Sequence, residues 1–329
     1  MGTDRILRDQ AASPACAAGG HAHAGHSVQI YRADEHLAKD VSRWIAPVLK
    51  AGGCGILIAA ESHRSAMADH LQTAGLDINR VTAEGRYLSI DARETLTKFM
   101  RSGWPDAERF RLVVGSILDA AQAAVVADSP GVYAFGEMVA HLWTEQKVQA
   151  AIRLEQLWND LAQTRAFHLR CAYPVSQFGE QGDGERFLRL CAEHSHVIPA
   201  EVQRHKYEGP RSCRILSVST NTRLLITRND TLAVAGYSVV SPKEPEEAAF
   251  LLATQPFDVI VIADSIRQKK RTALISALRS IRRDVPVIFV HAGPEPCSEP
   301  LADMTVDVRS DTMALITALQ RRHTSQMVA

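Results

Sequence analysis

The chain alternates apolar strand patterns with amphipathic helix patterns, and this alternation restricts its fold more than any other feature. Ser27–Tyr31 has the pattern of a buried strand, Asp34 can cap the following helix, and apolar residues recur at helical spacing over Leu37–Val48. A second strand pattern at Gly55–Ala59 and a helix from Ser62 follow. Strands joined by helices pair in parallel through right-handed crossovers, so the sequence predicts a parallel α/β sheet.

Three polar side chains stand where such a sheet binds ligands, at the carboxyl ends of its strands. Tyr31 ends the first strand pattern, Glu61 follows the second, and Glu137 closes a later one. We predict that these three residues line one pocket. His26 begins the first strand, so it is predicted to lie at the opposite end, as a structural cap or an approach from the preceding tail.

The predicted ligand-binding set combines aromatic, imidazole and carboxylate groups, which orient small molecules in apolar crevices. It consists of His26, Tyr31, Glu61, Glu137, Trp143 and Tyr173. Structural alternatives exist for each residue: Glu61 suits a helix N-terminus, where the dipole stabilises a carboxylate, and tryptophans such as Trp143 are usually core residues. The sequence predicts no catalytic residue, no metal ligand and no cofactor.

The turn after the first strand argues against nucleotide hydrolysis. It reads Tyr31-Arg32-Ala33-Asp34, without the glycines and the lysine of a phosphate-binding loop. Such a turn cannot wrap backbone amides around phosphates. Nucleotide binding without hydrolysis stays an open alternative.

Composition narrows the class of protein. The chain has 37 Lys+Arg and 37 Asp+Glu, a balance that does not suggest a nucleic-acid surface. No apolar run is long enough for a bilayer and no signal-peptide core is present, so a cytoplasmic location without membrane attachment is expected. Six scattered cysteines form no Cys-x-x-Cys pair. Cys16, His21 and His23 lie in an Ala/Gly-rich tail, where a solvated segment is favoured over metal binding.

Five short motifs in the first part of the chain occur in a characteristic order. They are His26 to Tyr31, Ile56 to Glu61, Gly136-Glu137-Met138, Glu155 with Asn159 on a helix predicted over Ala140–Leu161, and Cys171-x-Tyr173. With these motifs, Gly25 to Glu201 resembles the MEDS domain, the sensory domain named from methanogen and methylotroph regulators and the dichloromethane repressor DcmR. The resemblance implies a RecA-like fold without a working phosphate loop, and sensing of small hydrocarbon derivatives. Val28 stands where the family often has Cys, which puts thiol-dependent ligand chemistry in doubt.

The last third of the chain repeats the strand–helix alternation. Its strand patterns lie at Arg214–Val218, Ser238–Val240, Asp258–Ile262 and Pro286–Val290, with a final helix at Thr312–Arg322. This part resembles a response-regulator receiver domain of flavodoxin-like fold.

The phosphorylation chemistry of a receiver is predicted to be lost. Ser219, Thr220 and Asn221 replace the acidic residues after the first strand. Ala263 stands at the position of the aspartate that accepts the phosphoryl group in a receiver. Asp264 is the next residue, and a shift of one residue turns its side chain to the other face of the strand. A lysine should end the fifth strand, and the segment His291 to Gly293 offers none. A pseudo-receiver is the favoured interpretation.

The predicted organisation is a disordered tail (1–24), a MEDS-like RecA-fold domain (25–202), a linker (203–213) and a receiver-like domain (214–329). The favoured function is a non-enzymatic regulator that senses a small molecule and acts through protein contacts. Its partner would be a kinase or a transcription factor, without direct nucleic-acid binding, and a homodimer is possible. The alternative is a nucleotide-binding or metal-dependent enzyme that uses Glu61 and Glu137.

Overall fold

The computed structural model describes residues 25–178, 183–200, 213–292, 298–308 and 313–327. The tail at 1–24, with Cys16, His21 and His23, lies outside the described residues, as does the linker at 203–213 apart from Cys213.

The first unit is a layered α/β structure. Its strands are β1 (His26–Tyr31), β2 (Cys54–Ala59), β3 (Tyr87–Asp91), β4 (Met100–Arg101), β5 (Trp104–Pro105), β6 (Val132–Gly136), β7 (His168–Pro174) and β8 (His196–Ile198). Its helices are α1 (Asp34–Lys50), α2 (Glu61–Thr73), α3 (Ile78–Ala83), α4 (Ala92–Phe99), α5 (Ala107–Ala124), α6 (Met138–Thr144), α7 (Val148–Ala162) and α8 (Asp183–Ala192), with a 3-10 turn at Val175–Gln177. Six strands form one parallel sheet in the order β3-β2-β6-β7-β1-β8, while β4 and β5 form a separate hairpin.

The two faces of β1 serve different cores, because successive side chains of a strand point to opposite sides. Val28 and Ile30 pack in the core that also contains residues of α5, α6 and α7. Tyr31 packs in the core formed with α1 and α2. β1 pairs with β7 on one side and β8 on the other, with His26 opposite Leu169 and Ile30 opposite Tyr173.

The helix predicted over Ala140–Leu161 is in fact two helices. The chain breaks between α6 and α7, where Gln146 has φ 59°. The amide of Lys147 donates to Leu142 O at 2.9 Å and closes the end of α6. Because α7 starts afresh at Val148, its direction is set independently of α6, and its buried face carries Glu155 toward the sheet.

The second unit confirms the predicted flavodoxin-like class. Its strands are β9 (Arg214–Val218), β10 (Ser238–Val240), β11 (Val259–Ala263), β12 (Val287–His291) and β13 (Met304–Asp307), and its helices are α9 (Thr222–Val234), α10 (Glu247–Thr254), α11 (Gln268–Ile281) and α12 (Ala314–Met327). All five strands are parallel in the order β10-β9-β11-β12-β13, which is the 2-1-3-4-5 order of doubly wound receiver-type sheets. Both units are therefore parallel α/β folds, as predicted.

The sequence analysis placed the end of the fifth receiver strand, where a receiver has a lysine, one strand too early. Pro286–Val290 corresponds to β12, the fourth strand of this sheet, and the fifth is β13. The lysine position therefore belongs at the end of β13, which is Asp307, rather than at His291 to Gly293. The absence of a lysine holds at the corrected position as well.

The two units share one continuous apolar core. Ala248 and Leu252 of α10 belong to the same cluster as Phe187 and Leu190 of α8. The ring of Phe250 lies 5.6 Å from that of Phe187 in an edge-to-face arrangement. Helix α10 thus packs along α8 as an interior helix would, and the extent of apolar contact favours a fixed arrangement of the two units.

No helix in the described ranges has the length and hydrophobicity that crossing a bilayer requires.

Candidate functional site

A buried polar cluster lies at the amino end of β1 and draws one side chain from each of four segments. His26 comes from the start of β1, Glu155 from α7, Cys171 from the middle of β7, and His194 from the segment just after α8. Their nitrogen, oxygen and sulfur atoms all lie within 4.8 Å of one another. All four residues are buried, and Glu155 is wholly inaccessible. We call these four residues the amino-end cluster.

Glu155 is the centre of the amino-end cluster. The hydroxyl of Tyr173 donates to its Oε1 at 2.8 Å and the thiol of Cys171 to its Oε2 at 3.2 Å. Nε2 of His26 lies 3.3 Å from Oε2, and Nε2 of His194 lies 3.5 Å from Oε1. Carboxylate, thiol and imidazole groups therefore converge on one point in an otherwise apolar core.

Both histidines are oriented by outer partners. Nδ1 of His194 lies 2.7 Å from Leu190 O, and Nδ1 of His26 lies 2.8 Å from Asn159 Oδ1. The amide nitrogen of Asn159 donates to Glu193 O at 2.9 Å, which fixes which way that side chain points. The hydroxyl of Ser195 donates to His26 O at 2.7 Å and ties the His194 segment to β1.

Burial and the neighbouring charges shape the electrostatics of this cluster. Burial alone would raise the pKa of Glu155, yet the adjacent imidazoles of His194 and His26 outweigh it and hold that pKa well below its usual value. Burial raises the pKa values of Cys171 and Tyr173 well above their usual values, and the negative charge of Glu155 raises them further. Glu155 therefore carries the negative charge while the thiol and the phenol stay protonated as its donors.

A second polar group lies at the carboxyl end of β1. Glu137 accepts a hydrogen bond from the Ala60 amide at 2.9 Å through Oε2, and its Oε1 binds Nδ1 of His63. The ring of Tyr31 stands edge-on to that of His63, with centroids 6.2 Å apart. Asp34 does not cap α1 but lies 3.3 Å from Nε2 of His63, with its carboxylate largely exposed. We call Tyr31, Asp34, His63 and Glu137 the carboxyl-end cluster.

The charges of the carboxyl-end cluster reinforce one another. The hydrogen bond to Glu137 raises the pKa of His63 by more than burial lowers it, and Asp34 adds to the rise. Burial raises the pKa of Tyr31, and the negative charges of Glu137 and Asp34 raise it further. The cluster therefore presents a neutral phenol, an imidazole that favours its protonated form and a buried carboxylate.

The six predicted ligand residues separate into different places. Tyr31 and Glu137 lie on either side of His63 in the carboxyl-end cluster. Glu61 begins α2 and is exposed, whereas both oxygens of Glu137 are taken by Ala60 and His63. His26 lies at the amino end of β1, where its ring contacts Glu155. Tyr173 lies opposite Ile30, near the carboxyl end of β1, and only its hydroxyl reaches Glu155.

Trp143 is fully packed beside Tyr173. Its ring lies edge-on to Tyr173 at 5.5 Å and against Phe178 at 5.1 Å. Only 2% of its surface is exposed. It therefore packs against Tyr173 and Phe178 as a core residue.

Sequence reasoning missed Glu155, Cys171, His194 and His63 as site residues. Glu155 did carry a signal, because it is a carboxylate on the apolar face of α7, between Leu154 and Trp158. Cys171 and Tyr173 alternate on a buried strand, so both face the same helix layer. His194 had no comparable signal, since it lies in a short connection whose position depends on α8 packing.

The acceptor position of the second unit lies at the end of β11. Ala263 ends the strand, and Asp264 follows it, accepting from the Ala292 amide at 2.7 Å and lying 3.0 Å from Nδ1 of His291. Both residues line a cavity of about 190 Å³ that also contains Arg228. The hydroxyls of Ser219 and Ser265 are 3.0 Å apart where a receiver keeps acidic residues.

The two clusters differ in the chemistry they can perform. The amino-end cluster offers two imidazoles, a carboxylate and a thiol, the donor set of transition-metal sites. The carboxyl-end cluster lies at the sheet edge where parallel α/β folds bind ligands and includes an exposed carboxylate. It offers hydrogen-bond donors and acceptors to a small molecule.

Comparison with solved structures finds receiver domains that match part of the chain. A CheY-like response regulator receiver domain protein from Methanospirillum hungatei has 18% identity and a TM-score of 0.32, covering 36% of this chain and 98% of that one. The signal receiver domain of an HD domain-containing protein from Pseudomonas fluorescens has the same identity and TM-score, covering 36% and 100%. The chemotaxis response regulator CheY4 of Vibrio cholerae has 20% identity and a TM-score of 0.30, covering 34% and 98%. A comparison with curated proteins found no match.

Comparison with family profiles identifies the first unit. The profile of the MEDS family, described as the methanogen/methylotroph, DcmR sensory domain, matches residues 25–194, more than half of the 329-residue chain. This range begins one residue before His26 and ends at His194, so it encloses both clusters. The resemblance inferred from the five sequence motifs is confirmed, and the chain belongs to the MEDS family of sensory domains.

Proposed function

We propose that this signalling protein binds a small hydrocarbon derivative at the carboxyl-end cluster and passes the binding event to its receiver-like unit through α10. A MEDS sensory domain followed by a receiver-type sheet is a domain organisation typical of signalling proteins. Three observations support the ligand position: Tyr31, His63 and Glu137 converge, they lie at the carboxyl edge of a parallel sheet, and Asp34 connects them to solvent.

The observation that carries this proposal is that both ends of β1 are connected to the same receiver-unit helix. Arg32, the residue after Tyr31, donates to Thr254 O at the last turn of α10, at 2.5 Å. At the other end, α8 packs along α10, and a Cβ on Gly184 would lie 2.7 Å from the Glu247 amide nitrogen. A shift of Tyr31 on ligand binding would therefore reach α10 through a single residue.

The receiver-like unit is proposed to act by contact and not by phosphorylation. Ala263 supplies no carboxylate, and Ser219 and Thr220 bind Ser265 instead of presenting acids for Mg²⁺. Its output would be contact with a kinase or a transcription factor. Acetyl phosphate with Mg²⁺ should leave the mass of the chain unchanged, and a gain of one phosphate that Asp264→Asn removes would contradict this part.

Hydrogen exchange on α10 tests the relay directly. With dichloromethane and methanol as probes, binding is first measured by thermal shift, where a ligand at a hundredfold excess over Kd adds about 2.7 kcal/mol of stability. The bound probe should change exchange in residues 247–254, and Tyr31→Phe should weaken binding while folding survives.

Gly184→Ala separates binding from relay. Its new Cβ would meet the α10 backbone, whereas Gly115→Ala, the control, would meet only the end of the flexible Arg165 side chain. We expect the Gly184 variant to bind the probe but lose the change in α10, and the Gly115 variant to keep both. Probe binding without any change in α10 of the unmodified protein would contradict the relay.

ATP turnover that Glu137→Gln abolishes would contradict the sensor function itself.

A further inference from the structure

The hydrogen bonds around the amino-end cluster fix which nitrogen of each imidazole carries a proton. A carbonyl oxygen can only accept, so Nδ1 of His194 donates to Leu190 O, and its Nε2 presents a lone pair when the imidazole is neutral. The Asn159 amide nitrogen is used by Glu193 O, so Oδ1 faces His26 and Nδ1 of His26 is the donor. Nε2 of His26 then also presents a lone pair. Both free nitrogens point toward Glu155.

This arrangement leaves a buried nitrogen unsatisfied. The side chain of His194 has no solvent exposure, and its Nε2 makes no hydrogen bond to any described residue; it lies 3.5 Å from Glu155 Oε1, an atom that can only accept. Lone pair facing lone pair at this depth is unfavourable, and buried polar atoms normally have a partner. A positive charge between the two atoms removes the conflict.

The distances match a four-coordinate metal site. Nε2 of His26 lies 3.4 Å from Cys171 Sγ and 3.3 Å from Glu155 Oε2, and Cys171 Sγ lies 3.2 Å from Oε2. With metal bonds of about 2.0 Å to nitrogen or oxygen and about 2.3 Å to sulfur, the ligand atoms of a tetrahedral zinc site lie about 3.3–3.6 Å apart. The three separations among Nε2 of His26, Oε2 of Glu155 and Sγ of Cys171 are close to these values, and Nε2 of His194 lies within 4.8 Å of the other ligand atoms.

Charge balance favours a divalent ion over an extra proton on each histidine. Two imidazolium ions against one carboxylate would leave a net positive charge in a buried site, which is costly. A single imidazolium would balance Glu155 but would turn only one of the two Nε2 atoms into a donor. A divalent cation with Glu155, the Cys171 thiolate and two neutral imidazoles sums to zero. Binding requires that the thiol proton be released to solvent as the metal–sulfur bond forms.

We propose that His26, Glu155, Cys171 and His194 form a closed, four-coordinate site for a divalent transition-metal ion, with Zn²⁺ as its best match. Borderline-soft Zn²⁺ accepts this mixture of nitrogen, oxygen and thiolate ligands. The hydrogen bonds from Tyr173 to Glu155 and between the histidines and their outer partners are those that orient metal ligands. All four coordination positions are filled by protein, so the ion pins the His194 segment, and with it α8, to the sheet.

This site does not depend on the small-molecule ligand proposed above. The metal would lie at the amino end of β1, the ligand at its carboxyl end. Metal binding can therefore be confirmed or refuted whether or not dichloromethane or methanol binds.

Cobalt substitution of the full chain tests the proposal. The protein is purified without a metal-binding tag, treated with a chelator and titrated with Co²⁺. We expect one equivalent to bind with a thiolate-to-cobalt charge-transfer band and the intense visible bands of a four-coordinate ion. Cys171→Ser should abolish the charge-transfer band, while Cys54→Ser, which changes another buried cysteine of the same unit, should keep it. Tyr173→Phe should weaken Zn²⁺ binding by about 10- to 100-fold, as the loss of an outer partner does.

Three results would overturn the site. A band that disappears in Cys16→Ser but persists in Cys171→Ser would assign the metal to the tail. X-ray absorption of the Zn²⁺-loaded unmodified protein needs no variant to fold, and it should show one sulfur and two imidazole ligands. A shell without sulfur, or no retained zinc, would show that the cluster is an ion-pair network only.

Discussion

The two ends of β1 carry polar clusters that differ in their relation to water. In the amino-end cluster the histidine side chains are 8% exposed or less and Glu155 is at 0%. In the carboxyl-end cluster the Asp34 side chain is 74% exposed, although Glu137 beside it is buried. The strand thus separates a cluster that is closed to solvent from one that extends to solvent through Asp34.

The difference follows from the elements that cover each end. The His194 segment closes the amino end, held by Ser195 on the His26 carbonyl. At the carboxyl end the first turns of α1 and α2 contribute Asp34 and His63, and the Asp34 carboxylate extends the cluster to solvent. A packed segment covers the amino-end cluster, whereas the starts of two helices border the carboxyl-end cluster. This difference in cover determines what each cluster can bind.

Removing the central carboxylate should have the largest effect. Glu155→Leu leaves Tyr173, Cys171 and two imidazoles without their common partner, and breaking a buried ion pair from one side costs about 3–5 kcal/mol. Glu137→Leu should cost less, about 1–3 kcal/mol, because the exposed Asp34 still pairs with His63. Urea unfolding in the presence of a chelator measures both.

Glu94→Leu is the control for Glu155→Leu. Glu94 is an exposed partner of Lys98 one helical turn away, a type of pair worth about 0.2–0.5 kcal/mol. Equal losses for Glu155→Leu and Glu137→Leu would break the distinction between a sealed and an accessible cluster.

The carboxyl-end cluster should reveal itself by its pH dependence. The pKa of His63 is raised above its usual 6.5, so its stabilisation is complete below pH 6.5 and is lost as the pH rises through the raised value. Hydrogen bonds to charged groups are worth about 1.5–3 kcal/mol against about 1 for neutral ones, so His63→Gln should cost about 1–2 kcal/mol at low pH. This cost should shrink as the pH rises above 6.5 and passes through the raised pKa of His63.

Unfolding free energies across that pH range measure the effect, with His70→Gln on the same helix as the control. A cost for His63→Gln that stays constant with pH would mean that the charge on His63 adds nothing to the Glu137 contact. The carboxyl-end cluster would then be as inert to pH as a neutral hydrogen-bond network.

The fold was largely readable from the sequence because buried parallel strands are short apolar runs between amphipathic helices. β13 was missed because only Val306 of its four residues is buried, which leaves no strand pattern. The break at Gln146 was missed because neither glycine nor proline marks it. Local pattern predicts an element where burial is continuous along it, and fails where burial is intermittent.

The sites were less predictable. Strand ends converge at one edge, which is how Tyr31 and Glu137 could be placed together. His63 lies in the first turn of α2, and its place in the cluster depends on the direction of that helix. His26, Glu155, Cys171 and His194 span 169 positions of sequence and meet through the packing of four segments, which no local pattern encodes. Ser195, the residue after His194, donates its hydroxyl to the carbonyl of His26, 169 residues away in the sequence.

Arg32 gives the smallest and most specific test of the comparison, because it links the accessible end of β1 to the second unit. It is exposed, and its guanidinium binds Thr254 O, one of the terminal carbonyls of α10 that have no partner within the helix. A cation at a helix C-terminus is worth about 0.3–1 kcal/mol and is screened by salt. Arg32→Gln should therefore lower the free energy of unfolding by this amount at low ionic strength, and the loss should shrink in high salt.

Arg32→Lys keeps the charge and should retain most of the effect. A loss that is independent of salt would mean that Arg32 acts through packing, and the electrostatic link between the carboxyl-end cluster and α10 would have to be abandoned.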